Sequence, residues 1–132
     1  MQKVFLLFLG GGLGTIIRWI MSGLIASKFG EVFPWGTIFV NASGSFAIGF
    51  VATLTSPDGR LFLSSDARQF ILFGLLGGYT TFSSFSLQTL NLIEDGELLM
   101  AAGNVAISVL LCLLAVWIGH FLALKINLLN WY

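Results

Sequence analysis

GGYTTFSSFSLQT, residues 77–89, lies within a stretch free of acidic and basic residues that runs from Gln69 to Ile93. The stretch is long enough to cross a bilayer, but its centre is made of glycine and hydroxyl groups. Gly77-Gly78 followed by Tyr79, Thr80 and Thr81 joins weak helix formers to β-branched residues, which predicts a break in a membrane helix. A break strips carbonyls and amides of their intrahelical partners, and inside a membrane those groups must find protein, water or an ion. Such a segment is tolerable only where protein or an aqueous cavity surrounds it.

The rest of the chain confirms hydrocarbon as the solvent. Of 132 residues, 57% are hydrophobic and 9% charged, with a mean hydropathy of +0.95, a composition foreign to soluble domains. Windows without Asp, Glu, Lys or Arg run over Val32–Pro57, Gln69–Ile93 and Leu98–Leu124, and Val4–Ser27 is interrupted only by Arg18. Each is about the length that spans a core of roughly 30 Å. These windows predict an all-α membrane protein with one transmembrane domain over 1–132, its four helices at 4–26, 34–54, 69–92 and 98–124, the third of them broken. Arg18 and the glycines at 10, 11, 12 and 14 argue against a secretory signal in the first window. The connections are short, with turn chemistry in Pro57-Asp58-Gly59 and Asp95-Gly96.

Formal net charge is zero, so no nucleic acid or other strongly charged partner is expected. Cys112 and His120 are each the sole residue of their type, which leaves neither a disulfide framework nor a metal cluster. With four spans both termini share a side. That side collects Lys3, Arg60, Arg68 and Lys125, against Lys28 and Arg18. The positive-inside bias is weak; it is compatible with insertion in both orientations and does not establish it.

Small and polar residues recur at four-residue spacing inside the spans. Gly10 and Gly14, Ser45 and Gly49, and Gly74 and Gly78 make strips where another backbone can approach, and spans this short enclose so little space that a second copy is the expected use of the surplus. Thr37, Asn41 and Ser45 stack along one face of the second helix, and Asn104, Ser108 and Cys112 along one face of the fourth. Interhelical hydrogen bonding accounts for any one of these hydroxyls; two stripes plus the Thr/Ser cluster of the third helix also suit a polar pathway. Past the break, Phe82 and Phe85 share a helical face, beside a polar face of Thr81, Ser84 and Gln88.

Four blocks carry a family resemblance: GGGLGTIIRW at 10–19, WGTIFVNASGSFAIGF at 35–50, GLLGGYTTFSSFSLQT at 74–89, and NVAIS at 104–108. Over essentially its whole length the chain resembles the Fluc (CrcB) family of small bacterial fluoride channels. The resemblance implies an antiparallel, dual-topology homodimer in the cytoplasmic (inner) membrane, with two pores through which fluoride leaves passively, reducing fluoride toxicity. It further implies a structural sodium ion at the dimer centre, held by main-chain carbonyls of Gly77 and Thr80 from each copy. Phe82 and Phe85 become the pore phenylalanines, Asn41 the pore amide on the stripe that includes Thr37, and Arg18 the basic residue of the first-helix motif. The polar track becomes Ser83, Ser84, Ser108 and Cys112. Gln88, where many members have Glu, and Cys112, where a hydroxyl is frequent, depart from the pattern.

Elementary chemistry agrees with this assignment. Aromatic ring edges are positive, so Phe82 and Phe85 can face an anion without the ammonium that would trap it. Neutral donors replace part of the water a small anion loses while still letting it go. Rival classes fit less well. A proton-coupled four-helix exporter calls for a carboxylate within a span, and none of the four windows holds one. An enzyme needs a nucleophile with a base, or a metal cluster, whereas Cys112 and His120 stand eight positions apart with no third member. A purely structural protein leaves the TTFSSF break without a task.

Overall fold

The computed structural model describes residues 1–129. Its elements are α1 (Gln2–Phe29), α2 (Trp35–Leu54), α3 (65–79), α4 (Phe82–Glu94) and α5 (Leu98–Leu128), and no strand occurs among the described residues. α3 and α4 together form the third span, so four helical spans are long and apolar enough to cross a membrane. The chain is an all-α, four-span membrane protein, and its third span is broken where Gly77-Gly78-Tyr79-Thr80-Thr81 predicts. The expected domain extends to residue 132; residues 130–132 lie outside the described residues.

Three of the four spans outrun the helices expected from hydropathy, and α2 alone keeps to its expected bounds. α3 begins at Ser65 rather than 69 because the Ser64 hydroxyl accepts the Ala67 amide, 3.2 Å, as an N-cap. Arg68 then ties α3 to the end of α2, its Nε donating to Thr55 Oγ1 at 3.2 Å. α1 and α5 likewise run past their apolar windows, to Phe29 and Leu128. A charge-free window marks hydrocarbon, whereas a helix ends where capping groups take over. α1 ends at Gly30 and α4 is followed by the turn at Gly96, both with left-handed φ, 90° and 80°, which glycine adopts without strain.

Three helix pairs approach backbone to backbone, α1 meeting α2 where a Cβ on Gly36 would overlap the Ser22 carbonyl. A Cβ on Gly14 would overlap the Leu75 carbonyl oxygen, and one on Gly78 the Gly11 carbonyl oxygen, so α1 lies directly on α3. α2 meets α5 in the same way, Gly49 against the Val116 carbonyl and Gly119 against the Phe46 carbonyl. Close approach of this kind is how membrane helices gain packing energy where lipid offers no hydrophobic drive. Gly49 serves as its spacing predicts. The other glycine of this seam is Gly119, which none of the four-residue pairs read from the sequence includes, while Ser45 faces a cleft. Within α3, residues Phe70–Leu75 form a π-helical stretch, separated from the break by the α-helical turn Leu76–Tyr79; such stretches change the helical register locally.

The buried core is small: Ile38, Val40, Leu72, Leu76, Phe85 and Leu92 are its larger members. Phe5, Phe8, Trp19, Phe73, Leu110 and Trp117 all point outward and are exposed. In water that surface would aggregate; in a bilayer it meets its solvent.

Candidate functional site: the break and its two clefts

The break is built by α2. Thr80 and Thr81 are extended, with φ, ψ of −84°, 156° and −151°, 115°. The Thr81 N–H donates to Asn41 Oδ1 at 2.7 Å, and Asn41 Nδ2 donates to the Thr81 carbonyl at 2.9 Å. One side-chain amide thus pairs with both main-chain groups of Thr81, as a neighbouring strand would. Two residues further along α2, the Ser43 hydroxyl shares a hydrogen bond with Tyr79 Oη at 2.8 Å. A Cβ on Gly44 would overlap Thr80 Cγ2, so this glycine lets the break come close. Thr81 Oγ1 then accepts the Ser84 amide at 3.1 Å and restarts the helix as its N-cap.

These bonds redirect the carbonyls. In a continuous helix the Thr81 amide would bond Gly77, and the Ser84 amide would bond Thr80. Here both amides go elsewhere. The Thr80 carbonyl accepts from Arg18 Nη1 at 3.3 Å. Gly77 is exposed, and the nearest atom to a Cβ built on it is the Leu72 carbonyl oxygen at 4.0 Å.

On one side of the break is a cleft of ≈ 370 Å³ lined by Asn41, Ser45, Thr80, Thr81, Phe82, Phe85, Ser108 and Cys112, together with apolar residues. Its two rings are 5.2 Å apart between centroids and tilted by 48°. Phe85 is 9% exposed and Phe82 76%, so one ring is seated in this chain and the other stands free of it. Asn41 Nδ2 carries two hydrogens; one goes to Thr81, and the second is left for an occupant. Ser108 donates to Asn104 Oδ1 at 3.2 Å, and Asn104 Nδ2 donates to Thr89 Oγ1 at 2.9 Å. Asn104, 1% exposed, therefore locks α5 to α4, and the Ser108 hydroxyl must rotate away from it before it can donate into the cleft.

On the other side, Thr15, Arg18, Ser22, Thr37, Thr81 and Ser84 face a smaller cleft of ≈ 230 Å³. It adjoins a wider one of ≈ 380 Å³ that shares Trp19, Ser22, Thr37 and Ser84 and reaches Gln88 and Glu31. The N-terminus of α4 begins here, and its orphan amides and dipole favour negative charge. Arg18, half-buried, adds a full positive charge. Gln88 Oε1 is buried without a partner among the described residues.

The residues expected from the sequence thus divide between two cavities. Asn41, Phe82, Phe85, Ser108 and Cys112 meet in the first; Arg18, Thr37 and Ser84 meet in the second. Ser83 sits exposed at the break, its hydroxyl 3.2 Å from Thr81 Oγ1. Within one chain the track from Ser83 to Cys112 is not continuous. The residue that sequence reasoning undervalued is Thr81, which caps α4, receives Asn41 and borders both clefts. A β-branched hydroxyl immediately before an amphipathic run is an N-cap signal, and it was legible.

A four-span membrane protein whose third span is broken and flanked by two clefts, one lined by neutral groups and the other holding Arg18, belongs among proteins that pass small solutes through a bilayer. Comparison with known proteins is more specific. The chain belongs to the CrcB-like family, whose model, described as "CrcB-like protein, Camphor Resistance (CrcB)", matches residues 5–120. Among its relatives, a protein of Opitutus terrae named fluoride-specific ion channel FluC is 57% identical over 122 residues, covering 92% of both chains. One of the same name from Rhodospirillum rubrum is 58% identical over 118 residues, 89% of this chain and 92% of the relative. A third, from Methylocella silvestris, is 52% identical over 121 residues, 92% of each.

Proposed function

We propose that this chain is a passive, fluoride-selective channel of the bacterial cytoplasmic membrane, through which fluoride leaves down its electrochemical gradient. The observation that carries the reading is the phenylalanine cleft. Its donors are neutral and few, the spare Asn41 N–H, the Phe82 and Phe85 ring edges and the Ser108 hydroxyl, and no carboxylate lines it. A small anion that sheds water needs donors in its place, and a filter without ammonium groups releases what it binds. Arg18 and the α4 N-terminus draw anions to the break from the other side without standing in the ring cleft. The names of the relatives point the same way. All six acidic residues lie at helix ends or in connections, which disfavours a proton-coupled exporter.

The same proposal includes an antiparallel homodimer. Its support is the free Phe82 ring beside a seated Phe85, and the exposed Gly77 on an otherwise packed span. Gly77 and Thr80 fit a central sodium ion in kind, since both present main-chain oxygens that the break has released from helical amides, and hard cations take oxygen ligands. One chain supplies two such oxygens, and a two-fold axis would double them. Thr80 already accepts from Arg18, so a cation there uses the second lone pair of that carbonyl. When bound, the ion would neutralise carbonyl dipoles that face no amide.

Proteoliposome efflux tests the reading. Fluoride should leave under its own gradient and chloride should be retained. Efflux that requires an imposed proton gradient, or that treats the two halides alike, overturns it.

A further inference from the structure

Two polar residues at the far end of the α2–α5 pair take no part in the clefts described above. His120 Nδ1 lies 2.7 Å from Thr53 Oγ1. Thr53 is itself fixed from α5: its carbonyl accepts from Asn127 Nδ2 at 3.1 Å, and Asn127 Oδ1 accepts the Arg60 amide of the connection after α2 at 3.0 Å. Thr53 Oγ1 has no other hydrogen-bond partner among the described residues, and either atom of the pair can donate. In the tautomer that accepts from Thr53 at Nδ1, the ring N–H sits on Nε2 and is free to donate.

The position of this pair is not arbitrary. Asn41, Ser45, Gly49 and Thr53 step along α2 at four-residue intervals, and Ser108, Cys112, Val116 and His120 step along α5 in the same way. Where Gly49 abuts Val116 the two backbones touch, and beyond that contact the stripes end together at Thr53 and His120. A second cleft, lined by Thr53, His120, Trp117 and Val116 among others, shares Ile48 and Leu113 with the phenylalanine cleft. The two cavities are therefore neighbours on one side of the α2–α5 pair. At the same end Lys125 lies over the Phe121 ring, 5.0 Å from its centroid, and adds a positive charge near the helix terminus.

We infer that His120, oriented by Thr53, is a further ion-contact residue at the outer end of the permeation path, offering its Nε2–H to an anion that has passed Cys112. The inference rests on the channel reading. It makes the imidazole an N–H donor like the Asn41 amide, placed where the pathway opens toward the membrane surface. Interhelical pairing alone, with no ion contact, is the competing account.

His120 is the one histidine of the chain, so diethyl pyrocarbonate can address it in the otherwise unaltered protein. Fluoride efflux from proteoliposomes should fall about fivefold on modification, the worth of roughly one hydrogen bond, and return with hydroxylamine. His120→Leu should show a comparable loss and no further response to the reagent, and His120→Gln, which restores an N–H, should recover part of it. Unchanged efflux in wild-type protein whose histidine is shown by mass spectrometry to be modified overturns the inference, as does wild-type efflux from a folded His120→Leu protein. If His120→Leu fails to fold, the reagent arm on the wild type decides. Failure of the channel reading is distinct, for then the untreated protein passes no fluoride.

Discussion

Asn41 and Thr81, 40 positions apart, exchange two hydrogen bonds of 2.7 and 2.9 Å through one side-chain amide. The pair makes the break of the third span a bonded structure, with both main-chain groups of Thr81 assigned to one side-chain amide. Asn41 consequently has two duties, holding Thr81 and offering its remaining N–H to the cleft.

Substitutions at Asn41 should separate these duties. Asn41→Leu leaves the Thr81 N–H and C=O unpaired in the membrane, at about 1–3 kcal/mol each, so both thermal stability in detergent and fluoride efflux should fall. Asn41→Asp keeps an acceptor for the Thr81 amide while placing a carboxylate beside the anion path. It should lose less stability than Asn41→Leu and still conduct poorly. Equal melting temperatures for the two variants would show that the Thr81 bonds contribute nothing.

The two phenylalanines should differ in what they lose. Phe85 is seated in the chain and Phe82 is not, so Phe85→Ile should lower stability by about 1 kcal/mol and Phe82→Ile should leave the stability of the single chain unchanged. Both should lower fluoride efflux strongly, because isoleucine fills space without a positive edge. Wild-type efflux from both folded variants would reduce the rings to packing.

Glycine substitutions in α1 should fall into two groups. A Cβ on Gly12 meets nothing within 4 Å, whereas one on Gly14 overlaps the Leu75 carbonyl. Gly12→Ala should therefore be tolerated, with a gain of up to about 1 kcal/mol in helix propensity. Gly14→Ala should push α1 off α3 and yield protein that elutes aggregated in size-exclusion chromatography.

Arg18→Gln removes the one full charge within the four apolar windows and the donor to the Thr80 carbonyl. Efflux should fall, and the deficit should be larger at low ionic strength, where long-range attraction of anions is least screened. Arg18→Lys should retain most of that attraction. A deficit independent of salt would assign Arg18 to structure alone.

Exchange of sodium for a large organic cation tests the central ion. An ion bound only by the assembled dimer stabilises it by mass action, so efflux should slow and subunit exchange should quicken after equilibration long enough to release a trapped ion. Thr80→Ser, which keeps the carbonyl, should behave as wild type in this titration. Indifference of both readouts to sodium would remove the ion from the proposal.

The sequence by itself determined what depends on local composition. Four apolar windows define four spans, Gly77-Gly78-Tyr79-Thr80-Thr81 defines a break, and the absence of carboxylates in the windows defines an interior without acidic groups; each follows from the preferences of short segments for helix and for hydrocarbon. Tertiary structure alone decided how those segments meet. The stripe Thr37–Asn41–Ser45 looks like one face in the sequence, but at about 100° per residue each four-residue step turns about 40°, and the packed helices send Thr37 to the Arg18 cleft and Asn41 and Ser45 to the other. Nothing local to Asn104 indicates that it takes the Ser108 hydrogen and bonds Thr89, and nothing local to Gly119 indicates that it receives the Phe46 carbonyl. Such partners are chosen by which backbones can approach within van der Waals contact, a property of two helices together and of neither sequence stretch alone.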